Sequence, residues 1–137
     1  LVVLLVVGVA GVMGYLSYYY KTTSLSSKYT AEQRYEENTR MTQVLAQEDP
    51  TLVPDTTVTT VESAYKKFLS DETTYTVAVY TVDENALSGY DQDLETIRGL
   101  SKSKAKAVAN DGVMEKQYTA TVVLNTKTGE VLSWERK

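Results

Sequence analysis

Residues 115–136, EKQYTATVVLNTKTGEVLSWER, contain the pattern that most clearly determines a fold in this chain. The segment TKTG at 126–129 separates two runs that predict strands, at 115–125 and 130–136. Gly129 is suited to the left-handed backbone conformation that closes short loops between antiparallel strands. We therefore expect the sequence to end in a β-hairpin.

A third strand is predicted further upstream, at 73–82, where the sequence is TTYTVAVYTV. Tyr75, Val77 and Val79 fall on one face of such a strand, and threonines, Ala78 and Tyr80 alternate with them on the other. Two turns are expected near this region, at Ser88-Gly89 and at 110–112.

Two helices are predicted around this strand. Apolar residues at helical spacing favour a helix over 60–70, and they are Val61, Ala64, Tyr65, Phe68 and Leu69. Residues 91–109 are also expected to be helical, although Gly99 weakens that pattern.

A polar helix is predicted at 29–47, before this small domain, with Met41, Val44 and Leu45 on its apolar face. Pro50 disfavours helical backbone at the residue before it, so the helix is expected to stop at 48–50. Residues 51–55 are expected to be a linker, and the polar segment KTTSLSSK at 21–28 to be a weak helix or a hinge.

Residues 1–20 form an uncharged apolar run, LVVLLVVGVAGVMGYLSYYY. As a helix this run would be about 30 Å long, which is enough to cross the hydrocarbon core of a bilayer. Gly8, Gly11 and Gly14 recur at a spacing that permits close helix packing, although glycine is also simply commoner in membrane helices. Tyr15, Tyr18, Tyr19 and Tyr20 are the kind of residues found at a membrane–water boundary.

The sequence begins inside this apolar run, and two explanations fit. Either the sequence starts within a longer chain, or a peptidase cuts on the N-terminal side of the apolar segment. An ordinary secretory signal would instead be removed together with its apolar stretch.

Composition argues against several classes of function. The 137 residues include no Cys and no His, so sulfur-based metal sites and nucleophile–His pairs are excluded. The net charge of −4, without long basic runs, gives no reason to expect nucleic-acid binding. We expect no enzymatic activity and no cofactor.

Two weak chemical motifs occur. Ser63-x-x-Lys66 and Ser101-x-x-Lys104 match a pattern in which a lysine amine activates a serine, but solvated helix faces explain them better. Asp91, Asp93 and Glu95 alternate as calcium ligands can, although acidic residues also suit the start of a helix. We expect no metal site, and these three residues are the only weak calcium candidates.

The chain resembles type IV pilins. The resemblance depends on the apolar run LVVLLVVGVAGVMGYLSYYY, on the polar helical extension to about Gln47, and on a small C-terminal head ending in strands. It implies that the N-terminal helix rests in the cytoplasmic membrane and then forms the core of an extracellular filament. It also implies prepilin peptidase and the pilus assembly machinery as partners.

The chain departs from the main bacterial group at Leu5, where those pilins carry Glu at the fifth mature position. Archaeal pilins lack that Glu, but their heads tend to be all-β. The chain is therefore archaeal-like, or a divergent bacterial pilin, or numbered from a residue that is not the mature first one.

These observations predict an α+β fold: a long apolar N-terminal helix, then a head with helices packed on an antiparallel sheet that ends in a hairpin. The predicted division is 1–48 for the helix with its extension and 49–137 for the head. The predicted function is a cell-surface filament subunit that assembles with copies of itself. The predicted filament-core residues are Leu1, Val2, Val3, Leu4, Leu5, Val6, Val7, Gly8, Val9, Gly11, Val12, Met13, Gly14 and Leu16.

A second hypothesis is a binding module that stands outside the cytoplasm and is anchored in the membrane by one apolar helix. A basic segment retained before Leu1 would favour this hypothesis, because flanking Lys and Arg set the orientation of a single membrane helix.

Overall fold

The computed structural model describes residues 29–137, and its first element is helix α1, Ala31–Glu48. Thr30 starts the helix through a capping box. Its hydroxyl accepts the Gln33 N–H at 3.2 Å, and the Gln33 side chain accepts the Thr30 N–H at 3.0 Å. The helix ends where Asp49 adopts extended backbone just before Pro50. The predicted helix at 29–47 and its stop at 48–50 are confirmed.

Four strands follow α1 and form one antiparallel sheet in sequential order. They are β1 (Thr57–Lys66), β2 (Glu72–Val82), β3 (Met114–Asn125) and β4 (Val131–Arg136). A short 3₁₀ turn, Pro54–Thr56, precedes β1, and three short helices connect β2 to β3. These helices are α2 (Glu84–Ser88), α3 (Leu94–Arg98) and α4 (Lys102–Asn110).

The two faces of the sheet are covered differently. Helix α1 covers the first face, where Met41 and Leu45 are fully buried in an apolar cluster that includes side chains from all four strands. Helices α3 and α4 cover part of the second face, where Ile97 and Val108 pack near Tyr80. Helix α1 therefore shares a core with the sheet, and its burial of two large apolar side chains contributes several kcal/mol to holding it there.

The strand predicted at 73–82 and the C-terminal hairpin are confirmed. Gly129 has a φ of +77° in the hairpin loop, and Gly112 has a φ of +80° in the turn at 110–112. Residues without a Cβ adopt this backbone with little strain, so both glycines fit their turns.

The predicted helix over 60–70 is wrong, because these residues belong mainly to β1 and to the turn after it. A β-bulge between Val61 and Ser63 adds one residue to the strand. Val61 and Ala64, three apart, therefore both point into the core, whereas a regular strand would separate them. The bulge thus imitates helical spacing within a strand.

The helix predicted over 91–109 is two helices, α3 and α4, separated at 99–101. Gly99 ends α3, and its N–H bonds back to Thr96 and Ile97. Ser101 stands at the start of α4. Gly99, which weakens the helical pattern in the sequence, is therefore the position at which the predicted helix is interrupted.

The predicted fold class is wrong in its main helical component. Within residues 29–137, none of the helices combines the length and the apolar character needed to cross a bilayer. In this part of the chain the architecture is an antiparallel sheet with one polar helix and three short helices, none of them long and apolar. This also corrects the description of the chain as a protein with a transmembrane helix, whereas the pilin resemblance and the filament role stay predictions. The run 1–20, on which that description depended, lies outside the described residues.

Candidate functional site at the edges of the sheet

Strand β4 forms one edge of the sheet, and within the described part of the chain its only strand neighbour is β3. Lys137 donates its N–H to the Thr119 carbonyl at 2.8 Å, just beyond the end of β4. Hydrogen bonding alternates along an antiparallel strand, so Glu135 and Ser133 also face β3. The backbone groups of Trp134 and Arg136 therefore point away from the sheet.

The side chains along β4 suit contact with another chain more than burial in a core. Leu132 is the extra residue of a β-bulge, since Val123 pairs with Ser133 and Leu124 with Val131. It is 43% exposed. Trp134 is half-buried against the first-face core, so a large aromatic edge stays at the surface beside the open backbone.

A polar cluster connects β4 to β3 and to the end of α1. It consists of the exposed Arg136 and the buried Tyr118 and Asp49. The guanidinium of Arg136 lies 4.2 Å from the centre of the Tyr118 ring, and Tyr118 donates its hydroxyl to Asp49 Oδ2 at 2.7 Å. The other Asp49 oxygen accepts the N–H and the hydroxyl of Thr51, at 3.0 and 2.6 Å. The end of α1 is thereby connected to the edge strand through β3.

The electrostatics of this cluster follow from its bonds. The Thr51 and Tyr118 hydroxyls donate to Asp49 and lower the pKa of its carboxyl, against the opposing effect of burial. Burial, and then the bond to Asp49, raises the pKa of Tyr118. Asp49 is therefore a carboxylate and Tyr118 a neutral donor at neutral pH, an arrangement that binds but supplies no base near physiological pH.

The opposite edge, at β1, is closed around Val61 by helix α1 and the segment after α3. Asn38 is 1% exposed, and its Oδ1 accepts the Val61 N–H at 2.9 Å. Its Nδ2 donates to the carbonyls of Arg98 and Leu100, at 2.9 and 3.2 Å. One amide thus satisfies three backbone groups from two segments at the bulge of β1.

A hydroxyl pair extends this closure. Thr42 and Thr59 are both buried, and their hydroxyl oxygens lie 2.9 Å apart. Both hydroxyl oxygens also lie within hydrogen-bond distance of the backbone carbonyl oxygen of Asn38, and their two protons are shared among these three contacts. Helix α1 therefore attaches to β1 through a connected polar network inside an apolar interface, which fixes their relative position.

A third polar group lies over the first face of the sheet. Arg40 donates to Glu37 and to the Tyr75 hydroxyl, and its guanidinium lies 5.4 Å from the Tyr75 ring centre. Tyr29 is close enough for the charges of Glu37 and Arg40 to influence it, and burial is the main cause of its raised pKa. This group contains no nucleophile paired with a base.

The Ser-x-x-Lys motifs do not form catalytic pairs. Ser63 and Lys66 lie on strand β1, where residues three apart in regular register point to opposite faces. Ser101 precedes α4 and contacts Ser103, while Lys104 is exposed. The prediction that the chain is not an enzyme stays a prediction.

The weak calcium candidates serve as surface and capping residues. Asp93 caps α3 by accepting the Thr96 N–H at 2.8 Å, and Asp91 and Glu95 are exposed. Within residues 29–137, no three acidic side chains converge in a way that could hold a metal ion.

The predicted filament-core residues and the four boundary tyrosines, Tyr15 and Tyr18 to Tyr20, all lie outside the described residues. The filament role, the assembly partners, the absence of nucleic-acid binding and the cell-surface location stay predictions.

Sequence reasoning did not identify Asn38, Asp49 or Tyr118 as residues that organise the edges. Asn38 could have been noticed, because it precedes Met41 by three and Leu45 by seven and so falls on the apolar stripe of α1. Asp49 and Tyr118 are 69 positions apart, and no local pattern connects them.

Comparison with known proteins gives no relative: no family model matches the sequence, and neither the curated proteins nor the solved structures include a significant match.

Proposed function

We propose that residues 29–137 form a non-catalytic binding module that takes an extended segment of a partner protein along the open edge of β4. The observation that carries this proposal is the asymmetry of the sheet, in which β1 is closed by α1 while the backbone of Trp134 and Arg136 faces outward. Unpaired backbone groups at a sheet edge are a template for another strand.

The chemistry of β4 supports a selective contact. The outward N–H and C=O groups of Trp134 and Arg136 can bond any extended backbone, which gives affinity without sequence preference. Side chains decide which segment is accepted. Leu132 and Trp134 offer apolar contact, and Glu135, Arg136 and Lys137 bring charges of both signs to the same edge.

These charges also limit indiscriminate pairing. Charged residues on an edge strand disfavour pairing with other sheets, because an incoming strand must place its own charges opposite them. Strand β4 has only six residues, so an unrelated strand could form few backbone hydrogen bonds along it. The expected partner segment is therefore short and extended, with an apolar residue opposite Leu132 or Trp134.

The test is a selection of extended peptides from a displayed random library against the full chain. Arg136→Pro is used as the counter-target, because proline removes the outward N–H of residue 136. Arg136→Ala is the matched control, since it removes the side chain but keeps the N–H. We expect selected peptides to lose about tenfold or more in affinity for Arg136→Pro and much less for Arg136→Ala.

Amide hydrogen exchange then locates the contact. Peptide binding should slow exchange at the N–H groups of Trp134 and Arg136 and leave the already bonded N–H of Lys137 unchanged. The proposal is wrong if no peptide is selected, or if the peptides bind Arg136→Pro as well as the unaltered chain.

A further inference from the structure

Leu69, at the turn between β1 and β2, has two features that are unfavourable for a domain in water. It is 78% exposed, more than any other large apolar side chain of the described residues. It also has a φ of +56°, and it is the one non-glycine residue of the described part with a positive φ. Asn or Gly would adopt this backbone with less strain and expose no apolar surface. Such a residue points to a contact outside the fold.

Leu69 is surrounded by apolar side-chain surface, part of which belongs to lysines that end in a charged amine. Lys66, Lys67, Phe68 and Leu69 together line a shallow hollow of about 220 Å³. Lysine stems are aliphatic, so they extend an apolar surface while their amines stay in a polar layer.

A second loop stands beside this one. The N–H and the hydroxyl of Thr126 both donate to the Asp71 carbonyl, at 2.8 and 2.9 Å. This places Lys127 at the same end of the sheet. We call residues 66–71 and 126–129 the two-loop tip. It carries Lys66, Lys67 and Lys127 against Asp71, with Glu72 and Glu130 next to it in sequence.

The two-loop tip lies toward the end of the sheet where the described chain begins. Tyr29 lies near Tyr75, which pairs with Ala64 two residues before β1 ends at Lys66. The far end of α1 lies further away, since Asp49 bonds Tyr118, which pairs with Val79. The sequence segment 21–28 joins this end to the apolar run, and eight residues can span at most about 28 Å.

We infer that the two-loop tip contacts a lipid surface, with Leu69 at the boundary between headgroups and acyl chains and the lysine amines among the phosphates. An apolar side chain with lysines beside it suits an interfacial membrane contact. Because Asp71, Glu72 and Glu130 offset the lysine charges, the contact depends mainly on Leu69. One leucine and three lysines are too few to hold a free domain on a bilayer.

Residues 1–20 of the sequence are an uncharged apolar run, which favours lipid over water. With that run held at the same vesicle, the tip would meet the lipid surface at a high effective concentration. The contact uses loops rather than the β4 edge, so it does not depend on the proposed peptide site.

The absence of cysteine from the sequence permits single-site labelling. The full chain with Leu69→Cys is labelled at that cysteine with an environment-sensitive fluorophore. The labelled protein is reconstituted into vesicles of phosphatidylcholine and phosphatidylglycerol that contain a lipid-borne quencher. Val53→Cys is the matched control, because Val53 is also an exposed apolar residue but lies just before β1, at the end of the sheet away from the two-loop tip. We expect a blue-shifted emission and several-fold stronger quenching at position 69 than at position 53.

A second variant separates contact from folding. Leu69→Asn suits the left-handed backbone and removes the apolar side chain, so the domain should stay folded. With the label at Ser70→Cys, we expect Leu69→Asn to abolish most of the quenching.

Four results would overturn the inference: equal quenching at 69 and 53, unchanged quenching at Ser70→Cys with Leu69→Asn, a chain that does not float with the vesicles, or a label at 69 that shifts only when copies associate. The last result would mean that the tip meets protein. Peptide selection in detergent tests the β4 edge separately, and its failure leaves the quenching result unaffected.

Discussion

The two edges of the sheet are built differently although their strands belong to one sheet. At β1, a single buried amide on α1 satisfies Val61 and two carbonyls after α3. At β4, the backbone of Trp134 and Arg136 faces outward, and the support comes from below through Tyr118 and Asp49. Closure at β1 therefore contributes to stability, whereas β4 keeps backbone groups available for a partner.

The difference shows what closes a sheet edge. Strand β1 is the other edge strand of the sheet, so its position alone would leave it open to pairing with another chain. At its bulge, however, the Val61 N–H bonds the side chain of Asn38. A helix that packs across a sheet can thus block part of an edge by presenting one amide at a bulge.

The largest effect is expected at the closed edge. Asn38→Ala should leave the Val61 N–H and the carbonyls of Arg98 and Leu100 without partners in a buried site, which lowers the free energy of unfolding by about 3 kcal/mol or more. Urea unfolding, monitored by circular dichroism, measures this free energy. Asn110→Ala, at an exposed helix end, is the control and should change stability by less than about 0.5 kcal/mol. Equal small effects at both positions would mean that Asn38 does not close the edge.

The second effect compares inward and outward backbone groups of β4. Glu135→Pro should remove a bond to β3 and lower stability by about 3 kcal/mol, because residue 135 faces the sheet. Arg136→Pro should lower it by about 1 kcal/mol, mainly through the lost contact with Tyr118. Thermal and urea unfolding measure the stability of both variants. A larger loss for Arg136→Pro than for Glu135→Pro would contradict the assignment of residue 135 to the side that faces β3.

The third effect concerns the support beneath β4 and depends on pH. The folded-state pKa of Asp49 is lowered from 3.8, so its stabilisation is present above that value and is lost as the pH falls through the folded pKa. Asp49→Asn should therefore be less stable than the unaltered chain at pH 7, by about 2 kcal/mol.

Urea unfolding from pH 7 to pH 2 checks this prediction. We expect the difference between the two proteins to shrink below about pH 4, the usual range of a free carboxyl group. A difference that stays constant to pH 2 would exclude the bonded Asp49 carboxylate as its cause.

The smallest effect is expected from a surface ion pair at the closed edge. Lys102 on α4 lies 3.5 Å from Glu62 on β1, and the lysine side chain is 53% exposed. Lys102→Ala should change stability by less than about 0.5 kcal/mol, because solvent screens such pairs. A loss comparable to that of Asn38→Ala in the same urea assay would show that charge, rather than the buried amide, holds the edge closed.

Much of the fold was visible in local patterns. The strand at 73–82, the hairpin around Gly129 and the polar helix with Met41 and Leu45 on its buried face follow from alternation, turn chemistry and periodicity. These signals survive because each residue acts within a few positions of its neighbours.

Other parts failed for identifiable reasons. The bulge at Val61 gave a strand the spacing of a helix, although the β-branched run from Thr56 to Val61 favoured a strand. The predicted long apolar helix has no counterpart among the helices of residues 29–137. No pattern indicated the candidate edge of β4, because whether a strand is central or terminal depends on the order of the whole sheet.

Local sequence is enough to specify the hairpin, the strand at 73–82 and the polar helix α1, since turn glycines, alternation and capping act over a few residues. The roles of Asn38 at β1, of Asp49 beside Tyr118 and of β4 as an open edge arise only when the whole chain folds. These outcomes depend on contacts between residues 23 to 69 positions apart, and burial makes those polar groups find partners wherever the fold brings them together.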